Sequence, residues 1–115
     1  MTNTATIDRA TFENLEQTAG AEFVRELVAT FLTEAPRMLD DLGAALAAGD
    51  AEKFRRTAHS LKSNSNTFGA LTLGAMAKNL ELGGLAAGRA ADDPIGTLAR
   101  EYGRVAQALT ELKGD

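Results

Sequence analysis

The chain has no cysteine, no tryptophan, only two prolines and a single histidine, His59. Without cysteine there is no disulfide and no thiolate metal centre. One histidine also rules out a histidine-rich metal site, so no metal is expected. No uncharged apolar run approaches the roughly 20 residues a membrane span needs. The first eight residues, Met1 to Asp8, hold no basic region followed by an apolar one, so no signal peptide is read and the cytoplasm is the expected location. Strand-like alternation of apolar and polar residues is missing throughout, and so is any internal repeat. There is no Gly-rich phosphate loop either: Gly83-Gly84 and Gly88 are not followed by a Lys-Ser/Thr pair. An ATP-binding kinase domain does not fit in 115 residues, and no cofactor is implied. Nor is there excess positive charge. A net charge of −4 argues against nucleic acid or an anionic membrane as the main partner.

What is present is helical periodicity. The 44% hydrophobic content suffices for a core, and the length fits a single domain over residues 1–115, with residues 1–6 as a frayed tail. Asp8 is placed to cap a short first helix, with Ile7 and Phe12 at the positions of a hydrophobic staple and Gly20 closing it. Val24, Val28, Phe31, Ala35, Met38, Leu42 and Ala45 then step by threes and fours. That stripe runs through Pro36, which predicts one kinked helix from about Ala21 to Ala48, ended by Gly49, with two helices broken near Glu34 as the alternative. Asp50 caps a third helix that runs to about Thr67. A fourth begins near Ala70 on Leu73, Met76, Ala77 and Leu80, and Gly83-Gly84 should fray it toward Gly88. Asp93 followed by Pro94 opens a fifth, with Ile95, Leu98, Tyr102, Val105, Leu109 and Leu112 as its apolar stripe. The expected fold is all-α: an antiparallel four-helix bundle with a short extra N-terminal helix. With every stripe used inside the bundle, a monomer is expected.

The third helix carries the chemistry. At 100° per residue, Phe54, Ala58, Leu61, Ser65 and Phe68 share one arc, the buried side. Ser65 there either bonds its own backbone or is chosen for small size. Arg55, His59, Lys62, Ser63 and Asn66 share another arc, which turns His59 to solvent. From Lys53 to Lys62 there are four cations (Lys53, Arg55, Arg56, Lys62) and no acid, a basic patch suited to an acidic partner surface. A lone exposed histidine is usually inert. Ringed by cations it is different: neutral imidazole is a nucleophile near pH 7, and a phosphoryl group brings about two negative charges.

The run Ala58-His59-Ser60-Leu61-Lys62-Ser63-Asn64-Ser65-Asn66-Thr67-Phe68-Gly69-Ala70 resembles the phospho-acceptor motif of histidine-containing phosphotransfer (HPt) domains, with a looser likeness over Phe23–Glu81. Those are small helical bundles that relay phosphoryl groups between receiver-domain aspartates. The resemblance implies that His59 is the phosphorylated residue, through Nε2, and that Lys62 helps to hold the phosphoryl group. It implies that Gly69 permits a close turn or helix contact. Glu81 matches a position whose side chain lies beside the imidazole, where it could accept a hydrogen bond from one ring nitrogen and present the other. Arg55 or Arg56 would steer the partner. The chain departs from the pattern at Ser63, where the family usually has glycine.

The expectation is therefore a phosphocarrier of a two-component phosphorelay, not an autonomous enzyme, whose partners are receiver domains of response regulators or hybrid kinases. One alternative is a helical adaptor that binds a receiver or kinase without moving phosphate, which Ser63 would favour. An acid–base enzyme built on His59 and Glu81 is the weakest option, because no further polar constellation accompanies the pair.

Overall fold

The computed structural model describes residues 6–114; of the expected tail, residues 1–5 lie outside the described residues. Five helices follow in order: α1 Arg9–Ala19, α2 Ala21–Ala48, α3 Ala51–Thr67, α4 Leu71–Gly88 and α5 Pro94–Gly114. No strand occurs among the described residues.

Local chemistry sets the boundaries. Asp8 Oδ2 accepts from the Thr11 N–H at 3.2 Å, Asp50 Oδ1 from Lys53 at 3.1 Å and Asp93 Oδ1 from Gly96 at 3.1 Å. Each carboxylate satisfies an amide that the first turn leaves without a partner. Gly49 ends α2 in the left-handed region (φ 71°, ψ 25°), and the Asp50 N–H reaches back to the Ala45 carbonyl at 2.9 Å. That six-to-one bond is the Schellman closure. The connections are short, so sequential long helices pack as antiparallel neighbours: α2 on α3, α3 on α4, α4 on α5, and α5 back on α2. The short α1 lies across α2 and α3. At 1.5 Å per residue α2 should be about 42 Å long, which matches the longest molecular dimension of 41 Å.

The predicted stripes form the core. Val28, Ala35, Leu42, Phe54, Ala58, Leu61, Leu73, Ala77, Leu98, Val105 and Leu109 have no exposed surface. Each large apolar side chain among them stabilises the fold by about 1.5–3 kcal/mol relative to exposure. Phe31 packs its ring against Phe68 (5.4 Å between centroids) and edge-on to Tyr102 (5.9 Å).

Three details differ from expectation or go beyond it. First, α4 does not fray at its glycines. Gly84 adopts φ 64°, ψ −152°, a sharp break, and the chain then resumes a helical turn. The break sets buried Gly88 against Phe54, where a Cβ would come within 2.8 Å of the ring. Second, α2 is continuous through Pro36. Proline offers no N–H to the Leu32 carbonyl four residues back, and the Tyr102 hydroxyl of α5 donates to that carbonyl at 3.4 Å instead. Third, the Ser65 hydroxyl is buried with no hydrogen-bond partner, so of its two readings the structure supports small size.

Candidate functional site

The site is built by two helices held in register. On α3, the buried arc of Phe54, Ala58 and Leu61 fixes the rotation of the helix, which leaves His59 outward with 56% of its side chain exposed. On α4, buried Ala77 and Leu80 fix the rotation likewise. Buried Gly74 lies against α3, where a Cβ on it would sit 2.0 Å from the Asn66 side-chain oxygen. A Cβ there would turn the exposed Asn66 side chain aside, with no backbone in its way. Seven residues back along α3 from Asn66 is His59, and seven residues on along α4 from Gly74 is Glu81. The helices are antiparallel, so one close contact brings the other pair together two turns away.

Glu81 bridges both basic groups of the motif. Its Oε2 lies 2.9 Å from His59 Nδ1 and its Oε1 lies 3.0 Å from Lys62 Nζ. The Glu81 side chain is only 14% exposed and that of Lys62 24%. The Lys62 ammonium, and after it His59, holds the Glu81 carboxyl below the usual carboxylate range, against the opposing effect of desolvation. An ionised carboxylate only accepts hydrogen bonds, so Nδ1 must be the donor. In the neutral ring this leaves the lone pair on Nε2, the nitrogen turned away from Glu81. The arrangement therefore presents an exposed nitrogen nucleophile with a cation beside it.

The other sequence-predicted residues are arranged differently. Arg55 and Arg56 do not reach the imidazole. Both turn to Glu52, at 2.7 Å and 4.0 Å, and Arg55 draws the Glu52 carboxyl below its ordinary range. Lys53 lies 4.0 Å from Asp41 of α2. The run of cations is thus not a bare basic patch. Glu52 lies one residue before the run, while Asp41 and Glu81 arrive from neighbouring helices, which a linear charge count does not see. Ser63 is exposed next to Lys62, and its carbonyl accepts from the Thr67 hydroxyl at 3.0 Å.

Gly69 lies ten residues beyond His59, in the turn into α4. Its φ is +86°, its carbonyl accepts the Asp8 N–H at 2.8 Å, and a Cβ on it would come within 2.7 Å of the Asp8 carbonyl oxygen. The close contact expected of it is real, but it docks α1 and does not touch the imidazole. Sequence reasoning missed Gly74. A glycine inside an apolar helical stripe, which costs helix stability unless packing requires it, was the available signal.

Comparison with known proteins agrees with this architecture. The sequence profile of the Hpt domain matches residues 26–114. The chain belongs to the Hpt domain family. Members act in two-component signalling as histidine phosphotransfer proteins, exchange phosphoryl groups with receiver domains and carry no kinase domain of their own. Among solved structures, the histidine-containing phosphotransfer protein B of Pseudomonas aeruginosa is similar, with 29% identity, 97% of each chain covered and a TM-score of 0.87. A search of curated protein sequences found no match. Among the described residues, no group of three or more His, Cys, Asp or Glu could hold a metal ion, and no helix is long and apolar enough to cross a membrane.

Proposed function

We propose that this Hpt chain is a phosphorelay intermediate that takes a phosphoryl group from a receiver aspartate onto His59 Nε2 and gives it to a second receiver aspartate. One observation carries the reading: the sole histidine stands exposed at mid-helix, with Nδ1 engaged by Glu81 and the Lys62 ammonium on the same carboxylate. Lys62 is close enough to turn from Glu81 toward a phosphoryl group on Nε2 and offset its charge. Glu81 orients the ring. Arg55 and Arg56, exposed on the same helix, steer the acidic rim of the receiver, and Ser63 stands where the receiver reaches past the ring. Phosphoryl transfer depends chiefly on positioning and electrostatics, so a bundle without a nucleotide pocket suffices. The chain then works as a monomeric carrier in the cytoplasm with response regulators or hybrid kinases, not as an enzyme in its own right.

The test is transfer from a phosphorylated receiver to the purified chain, beside His59→Gln. An acid-labile, base-stable phosphate on wild type and none on the variant is the expected result. If wild type stays unlabelled with receivers that load other Hpt proteins, the relay reading fails. If His59→Gln keeps its biological activity, the chain is an adaptor that binds without transferring.

A further inference from the structure

Nε2 and Lys62 do not lie on the same flank of His59. Viewed down α3 at about 100° per residue, Lys62 stands about 60° to one side of His59 and Ser63 about 40° to the other, both one turn further on. Lys62 lies on the α4 flank, because its Nζ meets Glu81 Oε1 at 3.0 Å. Nδ1 faces the same carboxylate at 2.9 Å. Nε2 is turned away from Glu81, and Ser63 borders the flank to which it turns. Side chains on a helix lean back toward its N-terminus, so a residue four positions on leans over the one before it. Ser63 therefore leans toward the reacting nitrogen from the side that Lys62 does not cover.

Resting on the relay reading, we infer that Ser63 contacts the phosphoryl group: its hydroxyl donates a hydrogen bond to a non-bridging oxygen of the group carried on Nε2, opposite Lys62. The hydroxyl is open to this use. Thr33, Thr67, Thr97 and Thr110 each turn theirs onto the carbonyl four residues back, at 3.1, 3.0, 3.1 and 2.7 Å. Ser63 does not. Among the described residues its hydroxyl has no partner, its side chain is exposed, and only its backbone carbonyl is engaged, by Thr67. Arg56 lies on the same flank one turn back, but its guanidinium stands 4.0 Å from Glu52. A neutral hydroxyl has no counter-ion to leave. When Nε2 attacks an aspartyl phosphate, an N–P bond forms, the acyl O–P bond breaks, and the aspartate carboxylate departs with the bonding electron pair. The Ser63 proton stays on its own oxygen throughout. During transfer the charge is spread over the three non-bridging oxygens. A donor placed on one of them serves the group as it arrives and as it leaves.

The single histidine makes the test clean. Phosphoramidate, a small donor, loads the purified chain without a receiver, so crowding of a protein partner plays no part. Phosphorus NMR follows loading of His59 in wild type, Ser63→Ala, Ser63→Gly and Ser63→Thr. The expected result is loading about fivefold slower in Ser63→Ala and Ser63→Gly, where the hydroxyl is gone, and a rate within about twofold of wild type in Ser63→Thr, which keeps it. The phosphorus resonance of the loaded chain should move in the first two variants and hold in the third. Equal loading of wild type and Ser63→Ala overturns the contact. Slow loading of Ser63→Ala with fast loading of Ser63→Gly overturns it too, because space alone would then matter. Either result leaves the relay reading standing, since transfer from a receiver tests that separately. If His59 of the wild type takes no phosphoryl group under conditions that phosphorylate free imidazole, both fall together.

Discussion

Replacing Gly69 by alanine tests how the α1 cap is fastened. Two costs add there. The φ of +86° is a conformation that a Cβ disfavours by about 1–2 kcal/mol. The new methyl group would also lie 2.7 Å from the Asp8 carbonyl oxygen and 3.2 Å from Thr11 Cβ. The first is backbone and cannot rotate away, so relief requires α1 to shift. The shift strains the Asp8 N–H to Gly69 carbonyl bond of 2.8 Å, a contribution of about 1 kcal/mol. Full undocking of Ile7 and Phe12, now 4% and 3% exposed, sets the ceiling, at about 1.5–3 kcal/mol each. The expected loss is therefore about 2–4 kcal/mol. Gly49→Ala is the control. Its φ is +71°, but the nearest atom to a Cβ is an Arg89 nitrogen at 3.9 Å, so only the conformational cost applies, about 1 kcal/mol. For a chain of 115 residues, unfolding entropy is about 0.24 kcal/mol per degree. Gly69→Ala should lower Tm by about 8–16 °C and Gly49→Ala by about 4 °C. Calorimetry reads both, and amide exchange should show α1 loosened only in Gly69→Ala. Equal losses of Tm would refute the reasoning, because the contact with Asp8 would then contribute nothing.

Other substitutions probe the rest of the bundle. Ser65→Ala removes a buried hydroxyl that has no partner and should raise Tm by about 4 °C, from a gain of about 1 kcal/mol; a loss of stability would show that the hydroxyl is satisfied. Tyr102→Phe should cost about 0.5–1 kcal/mol in wild type and almost nothing alongside Pro36→Ala, where a restored N–H serves the Leu32 carbonyl; additive denaturation energies would sink the idea that the hydroxyl replaces the missing amide. Because Lys62 and His59 lower the Glu81 carboxyl in the folded state from its ordinary 4.5, the stabilisation it gives is complete above that value and lost as pH falls through the lower folded one. The stability gap between wild type and Glu81→Gln, measured by urea unfolding, should hold above about pH 5 and narrow as pH falls further.

Most of the fold was legible because helix signals are local. Caps at Asp8, Asp50 and Asp93, stops at Gly20 and Gly49, and the apolar stripes each act within a turn or two, and the helix boundaries follow from them. The proline was readable for the same reason: the Ala35–Met38–Leu42 stripe passes through it unbroken. The exposed position of His59 also follows from one helix's periodicity. What was not legible depends on pairs distant in sequence. The break at Gly84 depends on how Gly88 must seat against Phe54. The Tyr102 bond joins residues seventy apart, and nothing near Tyr102 announces a free carbonyl on α2. At the site, His59 and Lys62 lie on one helix and could be grouped from sequence. Glu81 could be placed beside them only through family resemblance, since it arrives from another helix about twenty residues on.

Under the proposed relay, the pairing of charges bears on the balance between loading and unloading. Read along the chain, Lys53, Arg55, Arg56 and Lys62 look like a trap for anions. In the folded protein Glu52, Asp41 and Glu81 each stand within 4.0 Å of one or more of them. A naked cluster of four cations would stabilise a bound phosphoryl group strongly, with its two negative charges. It would stabilise the loaded state more than the transition state for release, and ground-state stabilisation of that kind slows the step that follows. Paired cations act differently. Lys62 must give up part of its interaction with Glu81 to serve a phosphoryl group, so the net gain is a difference between two ion pairs. Arg55 and Arg56, half or more exposed and shared with Glu52, contribute still less to holding the group. A carrier between two carboxylates of similar chemistry requires this balance, since any deep well on the histidine would stop the relay at its middle step.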